Sequence, residues 1–173
     1  MRIFVALEIS EKFQQEISAW ENNRQHLPAR WIAPKNLHIT LLPPWEENNI
    51  DLIKNKLKDI KMEFDSIDLG FNSISYGPNP REPRLIWASG QAPNNIILLK
   101  KKIEESLYIK SEPRKFLLHL TLARFNQYDF KNFKVKEINE RVDWNDVIKS
   151  FVIMESRLLP GGADYVILDE FNL

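Results

Sequence analysis

The chain has no cysteine. This removes a disulfide framework, a thiolate metal site and a cysteine nucleophile at once. It also has no apolar run near the length of about 18 residues that a membrane-spanning helix needs. The opening MRIFVALEIS alternates apolar and polar positions and does not place a long apolar run after a charged start. A secretory signal is therefore not expected, and a cytoplasmic location is. Net charge is missing as well, with 24 basic residues against 24 acidic ones. A protein that grips long nucleic acid through its phosphates usually carries a positive field, so balance argues against that class. It leaves room for a small nucleotide or one end of an RNA.

Threonine is the most informative scarcity. The chain has two, Thr40 and Thr121, and three histidines, His26, His38 and His119. Both threonines stand two places after a histidine, in NLHITLLP and FLLHLTLARF. Random placement would produce that coincidence roughly twice in ten thousand trials, which separates it from the usual false-positive motif.

With 173 residues, 43% hydrophobic and 28% charged, the chain is expected to form one domain over 1–173 with a core of its own. Residues 2–9 alternate as a strand. Ser10 suits the N-cap of a helix over 11–25, with Phe13, Ile17 and Trp20 as its apolar stripe. NLHITL reads as a strand stopped by Pro43-Pro44, because proline cannot continue a ladder. A second helix is expected over 47–63, with Ile50, Ile53, Leu57 and Ile60 inward. Strands follow at 65–76 and RLIWAS, then a third helix over 94–109 with Pro93 in its first turn. HLTLARF reads as the next strand. Two more, at 148–159 and 164–171, would be joined by a hairpin at Gly161 and Gly162. Helix followed by H-x-T-L strand thus occurs twice. The fold class is α/β (α+β): two mainly antiparallel sheets flanked by helices, in two similar lobes.

Strand geometry gives the motifs a chemical meaning. Residues i and i+2 share a face, so His38 lies beside Thr40 and His119 beside Thr121, while the intervening leucines and isoleucine face the core. Two imidazoles can serve one turnover as base and acid. Two hydroxyls can donate to the non-bridging oxygens of a phosphodiester as phosphorus becomes five-coordinate. Zinc needs three or four ligands, and neither motif has further ligands at suitable spacing, so no metal is expected.

These residues resemble the 2H phosphoesterases, specifically the RNA 2′,3′-cyclic phosphodiesterases also known as 2′-5′ RNA ligases. MRIFVALEIS, RWIAPKNLHITL, PRLIWASG, HLTLARF and MESRLLPGGADYVIL carry the likeness along nearly the whole chain. The resemblance implies a pseudo-twofold bilobal sandwich with both motifs in a central cleft. It implies metal-free, cofactor-free hydrolysis of a 2′,3′-cyclic phosphate to a 2′-phosphate, with His38 as proton donor and His119 as proton acceptor. Thr40 and Thr121 would hold the phosphoryl oxygens. The partner would be RNA with a cyclic-phosphate end, or a cyclic nucleotide, bound to a monomer. Cleavage or ligation of 2′-5′ oligonucleotides, a small cyclic-phosphate metabolite, and a non-catalytic RNA-end binding role are the alternatives.

The chain departs from that family at two places. An aromatic residue commonly stands five places after the first His, where it can stack on a base; here that place is Pro43, and Trp45 is the aromatic side chain left to do it. Leu118 replaces a proline common before the second His. Strand parity turns Arg124 away from the face of His119 and Thr121, so it enters only as a phosphate contact beyond the strand's end.

Overall fold

The structure is a computed structural model that describes residues 1–160 and 162–173. β1 (Arg2–Glu8) places Ile3, Val5 and Leu7 in the main core, while Phe4 and Ala6 on its other face are also buried. Ser10 caps α1 (Glu11–Asn22), its Oγ accepting from the Phe13 N–H at 3.2 Å. β2 (Arg30–Trp31) is short, and a single 3-10 turn at Pro34–Asn36 leads into β3 (His38–Glu46). Asn49 caps α2 (Ile50–Lys58). Then come β4 (Ile67–Gly77), β5 (Leu85–Gly90), α3 (Asn94–Leu107), β6 (Leu118–Arg124), β7 (Asn139–Ile148), β8 (Ser150–Leu159) and β9 (Gly162–Asn172). No helix of the described residues is long and apolar enough to cross a membrane.

Two sheets are formed, ordered β3-β1-β8-β9 and β2-β6-β5-β4-β7, with antiparallel ladders throughout the described strands. One continuous core joins both sheets to all three helices. A small second cluster, Phe4, Ala6, Val152 and Met154 with Tyr165 against it, covers the other face of the first sheet.

The two histidine strands sit in matching frames. β1, α1 and β3 make a strand–helix–strand unit, as do β5, α3 and β6. In the first, Glu8 pairs with His38, Ala6 with Thr40 and Val5 with Leu42. In the second, Ser89 pairs with His119, Trp87 with Thr121 and Ile86 with Ala123. Each ladder thus gains one residue on the histidine strand directly after the threonine, at Leu41 and at Leu122. These are β-bulges, and they let Leu41 with Leu42, and Leu122 with Ala123, all turn inward.

Four expectations change. β3 runs through Pro43 and Pro44 to Glu46, because it is the edge of its sheet and both residues are exposed; an outer edge has no ladder bond for proline to break. β7 is an unforeseen strand, since its inward positions include Asp146, whose carboxylate accepts from the Ser10 N–H at 2.9 Å, beside Trp144 and Ile148. Helix α2 is shorter than expected, and Pro93 is the N-cap of α3 where a first-turn place was expected. In the expected hairpin, Gly161 lies outside the described residues. Gly162 has φ +124°, a conformation that L side chains rarely adopt.

Trp45 takes a core role and does not reach across the groove. It pairs with Ile3 and packs against the main core, its Nε1 donating to Glu47 at 3.4 Å. The two register shifts on β3 cancel, so Trp45 keeps the face opposite His38 that strict alternation gives it. Trp45→Ala is expected to destabilise the fold by about 1–3 kcal/mol, read from denaturant midpoints.

Glu21 is buried on the inner face of α1, and its Oε1 has no hydrogen-bond partner among the described residues. Burial pushes its carboxyl from the usual 4.5 up to about 7. A folded-state value above the unfolded one makes this contribution full below 4.5 and lost as pH rises through 7. Denaturation midpoints measured from pH 4.5 to pH 8 should therefore fall with pH, and Glu21→Gln should flatten that slope.

Candidate active site

β3 and β6 belong to different sheets, yet they approach one another. Each carries its histidine and threonine half-buried on one face, with Leu or Ile between them in the core. The sheets thereby bring together His38, Thr40, His119 and Thr121. His119 and Arg124 both lie close enough to act electrostatically on His38. His26 is exposed and takes no part.

The backbone fixes both rings in the same way. His38 Nδ1 meets the carbonyl of Asn36 at 2.7 Å, and His119 Nδ1 meets that of Leu117 at 3.0 Å. A carbonyl can only accept, so each Nδ1 carries a hydrogen and each neutral ring keeps its lone pair on Nε2. Neither threonine hydroxyl has a hydrogen-bond partner among the described residues. Two Nε2 atoms and two uncommitted hydroxyls form a set able to move protons and to bind phosphoryl oxygens.

The surroundings of the two rings differ. His38 is packed between Phe4, 4.9 Å away, and Tyr165, whose ring stands perpendicular at 5.0 Å. Burial lowers its pKa to about 4; the bond to the Asn36 carbonyl opposes this, and the charges of Arg124 and His119 add to it. Asn36 is itself clamped, its Nδ2 donating to the Ala163 carbonyl at 3.1 Å and its Oδ1 accepting from the Tyr165 N–H at 3.2 Å. Strand β9 thus holds the turn whose carbonyl orients His38. His119 instead faces Trp87, with ring centroids 5.1 Å apart. Trp87 donates to Ser75 Oγ at 3.1 Å and lies over Gly77, where an added Cβ would stand 2.5 Å from the indole. Ser73 and Ser89 are linked at 3.0 Å on the same wall.

Arg124 joins this face through the bulge. Counting from His119 by twos excludes it, but the extra residue at Leu122 shifts the count. Arg124 then pairs with Leu85 and Arg30, and lines a cavity with Asn36 and Tyr165. Asn36, Tyr165 and Trp87 are the residues that sequence reasoning missed. Their signal is weak, because each acts through a partner strand distant in the chain. Phe4 serves both as core and as cleft wall, in contact with His38. Among the described residues, no three His, Cys, Asp or Glu side chains converge to hold a metal ion.

The chain is similar to known proteins along most of its length. The family model described as LigT like Phosphoesterase matches residues 7–87. An RNA 2′,3′-cyclic phosphodiesterase of Methanocaldococcus jannaschii is 29% identical, over 99% of this chain and all of that protein. One of Archaeoglobus fulgidus is 25% identical over the same shares. Among solved structures, a Thermus thermophilus protein superposes with a TM-score of 0.79 at 21% identity, covering 100% of this chain and 98% of its own. Escherichia coli LigT in apo form gives 0.76 at 20% identity, covering 99% and 98%. The family model and the full-length relatives make the chain similar to the LigT-like phosphoesterases, and the solved structures share its fold.

Proposed function

We propose that the chain hydrolyses RNA 2′,3′-cyclic phosphate ends, or 2′,3′-cyclic nucleotides, to 2′-phosphates. The observation that carries this is the matched pair of imidazoles, each with its Nδ1 hydrogen committed to a backbone carbonyl, beside two hydroxyls without partners among the described residues. His119 takes a proton from the attacking water as its oxygen bonds to phosphorus. The bond from phosphorus to the 3′ oxygen breaks, and His38 delivers a proton to that oxygen. Thr40 and Thr121 donate to the non-bridging oxygens, where negative charge grows. Arg124 adds a fixed positive charge on the same face. Escherichia coli LigT has been crystallised with 3′-AMP, which supports a nucleotide as the ligand type. Each step uses side chains of the chain itself, so activity is read as metal-independent.

The environment of His38 shapes its part in the cycle. With a pKa near 4, the free protein holds this ring neutral at pH 7. A bound phosphodiester anion beside it favours the imidazolium, offsetting Arg124 and His119. The proton-donating state therefore forms with substrate present.

His38→Ala and His119→Ala are each expected to lower kcat about a hundredfold to ten-thousandfold on a 2′,3′-cyclic nucleotide in the presence of EDTA. Either threonine to alanine should cost about 1.5–3 kcal/mol, on the order of tenfold to a hundredfold. Full activity in a histidine variant, or loss on chelation, contradicts the assignment.

The pH profile should be bell-shaped. As the proton donor, His38 sets the loss of activity on deprotonation, which begins near pH 4 in kcat/KM, its free-protein value, and moves upward in kcat, where the phosphate anion is bound. Steady-state kinetics across pH 3 to 9 measures both limbs, and coincident limbs would contradict the charge coupling of phosphate to His38.

A further inference from the structure

Three arginines gather at the end of the second sheet. Arg30, Arg84 and Arg124, with Phe125 and Asn126, line a cavity of about 560 Å³. We infer that they form a second anion subsite, which holds the internucleotide phosphodiester next to the reacting end. The site then takes the end of a polynucleotide in preference to a cyclic mononucleotide. The inference rests on the cyclic-phosphodiesterase reading and names its substrate class.

Position supports it first. Arg124 belongs to both places: it lines the arginine cavity, lines the smaller cavity with Asn36 and Tyr165, and acts on His38. A chain whose terminal phosphate sits at the imidazoles therefore finds the arginine cavity alongside.

Charge supports it second. Among the described residues no carboxylate lines this cavity. Neither Arg84 nor Arg124 has an acidic partner at ion-pair distance among them, whereas Arg24 and Arg157 do. Arg30 and Arg124 are directly opposed on β2 and β6, which sets two guanidinium-bearing residues side by side at this end of the sheet. In a protein with 24 charges of each sign, these three are concentrated in one place.

Rigidity supports it third. Arg84 is fixed through its backbone, its N–H donating to the Gly77 carbonyl at 2.9 Å and its carbonyl accepting from the Phe125 N–H at 3.0 Å. The Arg30 guanidinium lies against Gly162, where an added Cβ would stand 2.6 Å from its Nη1. Guanidinium groups suit phosphate, since their planar fork donates two parallel bonds to its oxygens. An acidic peptide would meet the same charges but brings no phosphoryl group to the imidazoles.

The test compares a 2′,3′-cyclic mononucleotide with a dinucleotide ending in the cyclic phosphate, in the intact protein and in Arg84→Gln. The wild type should favour the dinucleotide about tenfold in kcat/KM, mainly through KM, and Arg84→Gln should remove that preference. The slope of log KM against log salt for the dinucleotide should fall by about one in the variant. Arg84→Lys should retain part of the preference, and matching melting curves establish that the variants are folded. Equal treatment of both substrates by the wild type, or the same loss on both in Arg84→Gln, overturns the subsite. If the wild type hydrolyses neither, the activity reading has failed and binding decides the subsite separately. Calorimetry would then compare a dinucleotide ending in a 2′-phosphate with the 2′-phosphorylated mononucleotide. Tighter dinucleotide binding that is lost in Arg84→Gln keeps the subsite, and equal affinities overturn it.

Discussion

Both histidine strands gain one residue immediately after their threonine, and the site follows from that insertion. A strictly alternating strand would turn the second residue after the threonine back into the groove. The bulge turns Leu41 with Leu42, and Leu122 with Ala123, into the core, so each strand is anchored by two adjacent apolar side chains beside its polar pair. Bulges also increase twist and bend the strand that carries them. Beyond the bulges the halves diverge: Arg124 on one strand and Pro43 on the other both stand five places after their histidine. One position supplies a cation, and the other lets an edge strand continue with no ladder bond on its outer side.

Repetition of the frame does not make the two imidazoles equal. Their Nδ1 bonds are alike, each to the carbonyl two residues earlier. Their neighbours are not. Phe4, Tyr165 and the Asn36 turn withdraw His38 from water, and low dielectric penalises its charged form. His119 meets a wall of Trp87 and hydrogen-bonded serines. Two chemically identical side chains can be given different tasks by this route, because desolvation acts on charge and not on residue type.

The even charge of the whole chain is similarly uninformative about its local field. Several acidic side chains are occupied elsewhere: Glu140 holds Arg24, Asp164 holds Lys35 and Glu104 holds Lys100. The cavity at the end of the second sheet is lined by three arginines and, among the described residues, by no carboxylate. Net charge governs the field at long range, whereas a cleft is governed by what lines it.

Local periodicity was enough to establish the polar pairs, since the period of two in a strand needs no partner: His38 with Thr40, and His119 with Thr121, had to share a face wherever those strands lay. The inward stripes of α1 and α3 were legible for the same reason, through Phe13 and Ile17 and through Ile96, Leu99 and Ile103. The family likeness also ran along nearly the whole chain. What depends on a partner strand was settled only by folding. Arg124 went to the cleft because a single bulge shifted its parity, whereas the two shifts on β3 cancel and leave Trp45 on the core face; a bulge is defined only against the strand it pairs with. β7 escaped notice because its inward Asp146 is satisfied by Ser10, 136 residues away in the chain. The clamp on Asn36, the perpendicular Tyr165 and the unlike surroundings of the two histidines likewise arise only when β9 and the two sheets close around groups that are distant in the chain.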